Sequence, residues 1–165
     1  MPGCSASADR RPQAPEGDPP VVCTVGTSTR SLDEFVALLA ARGIDLCLDT
    51  RRFPTSTRFP HFARAPLEAA LRARGIQYVW MGQTLGGYRT GGYEAHMATP
   101  LFHRGLEEAE ALLQAHRGVI LCSERFPWRC HRRFVARALA ERGWRVVHLI
   151  DRDRTWEPKA VGRRA

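Results

Sequence analysis

The chain has no long apolar run and no apolar segment of the kind that opens a secretory signal. No stretch approaches the ~20 apolar residues that a membrane-spanning helix needs, and the first 20 residues are rich in Pro, Gly, Ala, Ser and Asp. These absences predict a soluble protein that is not secreted and has no membrane partner. Hydrophobic residues make up 44% of the 165 residues, which is enough for one core in one domain.

The chain also lacks the even number of cysteines that a disulfide framework needs. The five cysteines lie at positions 4, 23, 47, 122 and 130, and such a dispersed, odd set is not a disulfide framework. This usage is typical of a reducing cytoplasm, where we expect the protein to be located. Cys23 and Cys47 fall inside apolar strand patterns, so we predict that they are buried packing residues.

Lysine is almost absent, although the chain is basic. Lys159 is the single lysine against 24 arginines, and the net charge is +8. A basic balance favours a nucleic-acid partner. However, GC-rich coding produces the same skew toward arginine, and the arginines are scattered along the predicted helices. Charge alone therefore does not establish such a partner.

From residue 21 onward, predicted strands alternate with predicted helices. Ser31 and Glu34 form a capping box at the start of the first helix. The strands are 21–25, 44–48, 77–81, 118–122 and 145–150, and the helices are 31–42, 66–74, 100–116 and 127–142. This order predicts an α/β fold: a single-domain, Rossmann-like three-layer sandwich over 21–151 with a mostly parallel sheet of about five strands. We expect a disordered tail over 1–20, a charged, loosely ordered tail over 152–165, and an irregular glycine-rich loop over 82–97.

In open parallel sheets, ligands bind outside the carboxyl ends of the strands. Applied to the predicted sheet, this rule brings together four polar strand ends that are distant in sequence. They are the turn of Gly26, Thr27 and Ser28; Asp49 with Arg51 and Arg52; the loop with Gly86, Gly87 and Arg89; and the segment from Cys122 to Arg132. Their convergence predicts a ligand-binding cleft at this edge of the sheet.

The segment from Leu121 to Arg133 is the densest in reactive side chains. It reads Leu-Cys-Ser-Glu-Arg-Phe-Pro-Trp-Arg-Cys-His-Arg-Arg and joins a predicted strand to a predicted helix. We place Cys130 in the first helical turn, where the helix dipole and neighbouring arginines lower a thiol pKa and favour a nucleophile. A direct hydrogen bond to His131 is not expected, because adjacent helical residues point about 100° apart. A packing role for Cys130 remains the alternative.

Two carboxylates, Asp49 and Glu124, are predicted to face this cleft as general acid, base or nucleophile. Arg51, Arg132 and the turn from Gly26 to Ser28 are predicted to hold phosphate. These roles indicate a phosphate-containing ligand, either a nucleotide or nucleic acid, and acid/base or glycosyl-transfer-type chemistry on it. The alternative is a structural ion-pair network, in which both carboxylates neutralise buried arginines.

Two other functions remain open. A non-catalytic nucleic-acid-binding module uses the same arginines, with Tyr88, Tyr93 or Trp128 stacking on bases. The other is a thiol- or metal-based redox protein, whose thiol form needs Cys122 and Cys130 to lie close enough to pair. Neither enzymatic activity nor an oligomeric state is assigned.

Spacing argues against two further kinds of site. Cys122, Cys130 and His131 are available as soft ligands, but their spacing matches no common zinc pattern, so we assign no metal. The sequence does not identify a cofactor. A thiol phosphatase loop needs an arginine at the sixth position after its cysteine. After Cys122 that position is Trp128, and Arg129 comes one residue too late.

The ordered set of motifs resembles the bacterial and archaeal family called domain of unknown function 488. The resemblance covers about residues 22–150. It rests on Thr-Val-Gly-Thr-Ser (24–28), Asp-Thr-Arg-Arg-Phe-Pro (49–54), Leu-Gly-Gly-Tyr-Arg (85–89), Leu-Cys-Ser-Glu (121–124) and Cys-His-Arg (130–132). The family usually has His, Val and Ala where this chain has Thr27, Thr50 and Ser123. The resemblance implies the α/β domain and a site at its strand ends, and it implies no particular reaction.

Overall fold

The computed structural model describes residues 17–159, and most of the predicted tail over 1–20 lies outside this range. A six-stranded sheet runs through the described domain in the order β3-β2-β4-β1-β5-β6. The strands are β1 (Val21–Gly26), β2 (Leu46–Asp49), β3 (Gln77–Trp80), β4 (Gly118–Cys122), β5 (Arg145–Asp151) and β6 (Arg154–Trp156). The first five strands pair in parallel, and β6 pairs antiparallel with β5.

Six helices connect these strands. They are α1 (Leu32–Ala41), α2 (Arg64–Ala73), α3 (Gly82–Leu85), α4 (Tyr93–Met97), α5 (Pro100–Ala115) and α6 (Arg132–Glu141), with short 3-10 turns at Pro60–Phe62 and Pro127–Arg129. At the start of α1, the Ser31 hydroxyl accepts a hydrogen bond from the Glu34 amide, as the capping pattern predicts. Within residues 17–159, no helix is long and apolar enough to cross a bilayer.

Helices cover both faces of the sheet, which confirms the three-layer α/β fold. On one face, α5 and α6 pack against Leu46, Leu48 and Ile120. On the other face, α1 and α2 pack against Cys47 and Val119. Successive strand residues thus alternate between two apolar cores, as expected for a sheet that is buried on both sides.

The last predicted helix begins later than expected. The residues Pro127–Arg129 form a 3-10 turn, which the Cys130 amide closes by donating to the Pro127 carbonyl over 3.1 Å. Cys130 then adopts an extended backbone with φ −138° and ψ 151°, and α6 begins at Arg132. The expected helix over 127–142 is therefore wrong over its first five residues, and Cys130 precedes the helix instead of lying in its first turn.

The predicted tail after residue 151 contains the sixth strand, so the expectation of a loosely ordered segment is wrong there. The indole ring of Trp156 in β6 stacks on the imidazole ring of His148 with 5.3 Å between the ring centroids. Arg145 in β5 forms an ion pair with Glu157 over 2.6 Å. These contacts attach the segment to the sheet edge, whereas residues 160–165 lie outside the described range.

The segment 82–97, expected as an irregular loop, contains α3 and α4. The Arg89 side chain fixes the turn between them by donating to the carbonyls of Gly82, Gln83 and Gly86. The Tyr93 hydroxyl donates to the Leu85 carbonyl over 2.7 Å. Side chains therefore satisfy backbone groups that a flexible loop would leave to water.

Candidate functional site

The carboxyl end of β4 lies at a switch point of the sheet. The neighbouring strands β1 and β2 lead to α1 and α2 on one face, whereas β4 leads to α6 on the other face. Where successive connections leave a parallel sheet toward opposite faces, a crevice forms outside the strand ends. The predicted strand-end cleft therefore has a topological cause in this fold.

A cavity of about 860 Å³ opens at this position. Its walls come from the ends of β2 and β4, the segment 82–97 and the start of α6. The lining includes five arginines and one carboxylate: Arg51, Arg52, Arg89, Arg129, Arg133 and Glu124. Among residues 17–159, all of these arginines except Arg51 lack a carboxylate within 4.0 Å. Positive charge without a counter-charge favours an anionic ligand.

A second cavity of about 410 Å³ adjoins the first. The two cavities share Arg51, Thr55, Ser123, Glu124 and Arg129 in their walls. The hydroxyl-bearing turn over 27–29 lines the second cavity together with Arg58 and Arg125. The cleft consequently has two adjoining lobes, with the exposed side chain of Glu124 at the boundary between them.

Two cysteine sulfurs lie together at the floor of the larger lobe. The Sγ atoms of Cys130 and Cys122 are 2.6 Å apart. Cys130 is half-buried, whereas Cys122 is only 1% exposed. A hydrogen bond from the Cys122 thiol holds the pKa of Cys130 well below its usual range, against the opposing effect of burial. Burial raises the pKa of Cys122 well above its usual range, so Cys130 is the thiol that ionises first.

His131 lies beside this pair, contrary to the sequence expectation. Its Nδ1 is 3.7 Å from the Cys130 Sγ, and its Nε2 is 3.0 Å from the Thr50 carbonyl oxygen. Because a carbonyl only accepts, the Nε2 atom of His131 carries a proton and donates it to the Thr50 carbonyl. The helical argument against this contact fails because Cys130 has an extended backbone and precedes α6.

Asp49 is buried beneath the cleft and does not line it. Its carboxylate accepts two hydrogen bonds from the Arg51 guanidinium, at 2.9 and 2.8 Å, and a third from the Tyr78 hydroxyl at 2.5 Å. The third guanidinium nitrogen of Arg51 donates to the Phe62 carbonyl over 2.6 Å. For Asp49 and Arg51 the geometry matches the structural ion-pair alternative, and it leaves no Arg51 side-chain nitrogen without a partner for phosphate.

Arg132 is fully buried and does not face the cleft, contrary to the prediction that it holds phosphate. Its Nη2 donates to the Arg125 carbonyl over 3.2 Å, while Nε and Nη1 have no partner among the described residues. The charge of Arg132 lowers the pKa of Cys122 against the effect of burial. Burial and, second, Arg132 lower the pKa of His148 to about 4. Arg132 is thus a buried cation that acts on Cys122 at the floor of the cleft and on His148 in β5.

The turn of Gly26, Thr27 and Ser28 uses its amides within the protein. The amides of Thr27 and Ser28 donate to the carbonyls of Cys122 and Ser123, both over 2.9 Å. A Cβ atom on Gly26 would lie 1.8 Å from the Glu124 carbonyl oxygen. This turn therefore fixes the segment after β4, and those two amides are not free to bind phosphate.

Gly86, Gly87 and Arg89 shape the opposite wall of the cleft. Gly87 lines the larger lobe, and a Cβ atom there would lie 3.0 Å from the His131 Nδ1. Gly86 packs against Arg52 behind it. Tyr88 follows in the left-handed region with φ 58°, and its side chain is 86% exposed. A non-glycine residue in this region is strained, and such strain is concentrated at functional sites.

The sequence reasoning missed part of the lining. Phe53, after β2, and Phe134 in α6 line the larger lobe without having been predicted at the site, whereas Arg52, which the strand-end rule places at this edge, lines the lobe as expected. The Arg-Arg-Phe run after a predicted strand was the available signal for Phe53. Within the described residues, no group of three or more His, Cys, Asp or Glu side chains is arranged to hold a metal ion.

Comparison with known proteins gives a match to one family model. Residues 31–139 match the family model described as domain of unknown function 488. This match covers α1 to α6 and includes the predicted motifs after β2, β3 and β4. No curated protein and no solved structure matches the chain.

Proposed function

We infer the function of this chain, which belongs to the domain of unknown function 488 family, from its site. We propose that the strand-end cleft binds an anionic, phosphate-containing ligand such as a nucleotide. The groups that react with this ligand are Cys130 and Glu124. We further propose a cytoplasmic location, in keeping with the four free thiols among the described residues.

The observation that carries this proposal is the charge of the cavity wall. Arg52, Arg89, Arg129 and Arg133 line the larger lobe without a carboxylate partner in the described part of the chain. Guanidinium groups bind phosphate through paired N–H donors, and a partly enclosed cleft strengthens the attraction. The volume of about 860 Å³ suits a ligand of nucleotide size.

The chemistry follows from which groups reach the cavity. Asp49 is committed to Arg51, so Glu124 is the lining carboxylate that can serve as general acid or base. Cys130 contributes a thiolate, and the His131 Nδ1 lies 3.7 Å from its sulfur. An acid/base or glycosyl-transfer reaction on a nucleotide would therefore depend on these side chains.

The rate at which Cys130 is alkylated tests the proposed anion site. Iodoacetate and iodoacetamide attack the same thiolate, but only iodoacetate is negatively charged. We expect Cys130 to favour iodoacetate relative to a free model thiol, and we expect inorganic pyrophosphate to slow both reagents by occupying the cleft. Arg129→Gln and Arg133→Gln should each lower the iodoacetate preference roughly three- to fivefold at low salt.

The matched control is Arg74→Gln, which removes an exposed arginine at the end of α2, away from the cleft. It should leave both rates unchanged. Peptide mapping assigns the alkylated cysteine in every case. A Cys130 that shows the reagent preference of a free thiol and gains no protection from pyrophosphate would refute the anion site.

A second candidate function is single-stranded nucleic-acid binding. Exposed aromatic rings favour it, since Phe53 is 62%, Tyr88 86% and Trp128 43% exposed near the arginine-lined cavity. Such rings stack on unpaired bases, and each stacked base contributes about 1–3 kcal/mol. Fluorescence anisotropy with a ten-residue single strand, and with its duplex as control, tests this function. Tyr88→Ala should weaken single-strand binding about fivefold or more.

The same measurement separates a binding module from an enzyme. Binding that is salt-sensitive and survives both Glu124→Gln and Cys130→Ser favours the module, because neither residue would then be needed. Equal affinity for single strand and duplex would contradict base stacking on Tyr88.

A further inference from the structure

We propose that Cys130 and Cys122 form a thiol–disulfide exchange centre at the floor of the cleft, with a small anionic disulfide as its substrate. The exchange itself follows from the two sulfurs, and only the preference for an anionic substrate rests on the proposed function of the cleft.

The position of the two sulfurs carries this inference. They are 2.6 Å apart, so reaching the ~2 Å of a disulfide bond requires a movement of roughly half an ångström. The two residues are eight positions apart in sequence and are joined by the 3-10 turn at Pro127–Arg129. Cys122 ends a strand and Cys130 has an extended backbone, so neither side chain projects from within a helix.

The two thiols differ in access, which sets their order of reaction. Cys130 is half-buried in the cavity wall, while Cys122 lies at the end of β4 with 1% exposure. The Cys130 sulfur also accepts a hydrogen bond from the Arg132 amide over 3.4 Å and contacts the His131 Nδ1. Cys130 is therefore the attacking sulfur, and Cys122 is the resolving sulfur.

The reaction balances in two exchanges. The Cys130 thiolate attacks one sulfur of the substrate disulfide, forms a mixed disulfide and releases one substrate thiolate. That thiolate takes the proton of Cys122, whose sulfur then attacks Cys130, breaks the mixed disulfide and releases the second substrate thiolate. The second thiolate takes from water a proton equivalent to the one that Cys130 lost on ionising, so the substrate is reduced to two thiols and the two cysteines are oxidised to a disulfide that an external thiol can reduce again.

Arg132 supplies an independent reason for a negative charge at this position. It is fully buried, and among residues 17–159 no carboxylate lies within 4.0 Å of its guanidinium. A buried cation favours a nearby anion, and through its charge, which lowers the pKa of Cys122 against the effect of burial, Arg132 favours a thiolate in the dithiol pair. Because oxidation removes that anion, the reduced state is favoured and the disulfide is readily reduced.

The remaining described cysteines provide internal controls. Cys47 is buried in the core between the sheet and its helices, and burial raises the pKa of its thiol. Cys23 is half-buried in β1, and its pKa is also raised by burial. We expect both thiols to remain reduced under conditions that oxidise Cys122 and Cys130.

The experiment treats the full chain with oxidised glutathione, which is anionic, or with cystamine, which is cationic. Peptide mapping should show a disulfide that links Cys122 to Cys130, with loss of these two thiols while Cys23 and Cys47 stay reduced. Relative to mercaptoethanol, the protein should react about tenfold faster with oxidised glutathione than with cystamine. Cys122→Ser should stop at a glutathione adduct on Cys130, and Cys130→Ser should leave Cys122 unmodified.

Each result decides one part of the proposal. If mapping finds no link between Cys122 and Cys130 after prolonged oxidation, or a stable glutathione adduct on wild-type Cys130, the exchange centre is refuted even where pyrophosphate still protects Cys130. If the link forms equally fast with both disulfides, the exchange centre stands and the cationic cleft is refuted. Acid quenching of the wild-type reaction at early times traps the mixed disulfide, so the test does not depend on the folding of Cys122→Ser.

Discussion

Two buried arginines follow neighbouring strands and have different surroundings. Arg51 comes after β2 and is 5% exposed, and its three guanidinium nitrogens donate to Asp49 and the Phe62 carbonyl. Arg132 comes after β4 and is 0% exposed, and two of its nitrogens have no partner within the described residues. One site is a completed ion pair, whereas the other is a buried charge without a carboxylate.

This difference separates structural from reactive positions in the cleft. When a buried guanidinium is paired with a carboxylate and fully hydrogen-bonded, these interactions offset the free-energy cost of removing its charge from water. A buried guanidinium without a carboxylate partner keeps an uncompensated positive charge. The charge of Arg132 lowers the pKa values of Cys122 and His148. The Arg51 site therefore contributes chiefly to stability, and the Arg132 site contributes to the reactivity of the thiols.

The largest expected loss of stability comes from breaking the ion pair between Asp49 and Arg51. Asp49→Asn removes the negative charge and leaves Arg51 buried as an uncompensated cation. We expect the free energy of unfolding to fall by about 3–5 kcal/mol, which urea denaturation measures.

The control for this change removes both charges. Asp49→Asn combined with Arg51→Met takes away the unpaired cation and should recover much of the lost stability. If Asp49→Asn alone costs less than about 1 kcal/mol, the pair is not the structural unit that its geometry indicates.

The second effect concerns the stability that the fold loses at low pH because His148 is buried. The pKa of His148 is lowered from 6.5 to about 4, first by burial and then by the charge of Arg132. The unfolded chain therefore binds the proton more tightly, so this stabilisation is complete above pH 6.5 and is lost as the pH falls toward 4. We expect a loss of ~3 kcal/mol across this window in urea unfolding at a series of pH values.

His148→Gln isolates this contribution from that of the carboxylates. The amide does not titrate and keeps a polar partner for Thr24, whose hydroxyl lies 2.5 Å from the His148 Nδ1. The variant should lose less stability than the wild type between pH 6.5 and 4. Parallel pH curves for the two proteins would contradict a neutral, buried His148.

The sequence could predict the sheet but not the details of its edge. Apolar runs such as 118–122 and the capping pattern at Ser31 identify strands and helices, because burial and capping are local properties of the chain. The strand-end rule then locates the cleft. Whether Arg51 or Arg132 carries a partner depends on contacts with Asp49, Tyr78 and Phe62, which neighbouring residues in sequence do not reveal.

The start of α6 illustrates the same limit for the thiols. Pro127 suits a helical first turn, but the chain forms a 3-10 turn and then extends at Cys130. This extension brings Cys130 to Cys122 and allows its contact with His131, which helical spacing would prevent. A difference of a few backbone torsions therefore decides whether the two thiols meet.

A smaller effect tests the hydrogen bond from the Tyr78 hydroxyl to the Asp49 carboxylate. Tyr78→Phe deletes the hydroxyl that donates to Asp49 and leaves the charges in place. We expect a loss of roughly 2 kcal/mol in the free energy of unfolding, because hydrogen bonds to buried charges are among the strongest in proteins. Tyr88→Phe is the matched control, since Tyr88 is 86% exposed, and it should be close to neutral. Equal losses in both variants would contradict the contact.

The smallest expected change in stability comes from Arg132→Met, which replaces the incomplete cation by an apolar side chain of similar length. Because Arg132 lacks a carboxylate partner, we expect the free energy of unfolding to stay within ~1 kcal/mol of the wild type, in contrast to Asp49→Asn.

The same substitution should instead change the redox equilibrium of the two thiols. Without their counter-charge, the equilibrium of Cys122 and Cys130 with glutathione should shift toward the disulfide roughly fivefold. Arg137→Met, an exposed change in the same helix, should leave this equilibrium unaltered. An Arg132→Met protein with wild-type redox equilibrium and severely reduced stability would place Arg132 in the same structural class as Arg51, and the contrast between the two sites would disappear.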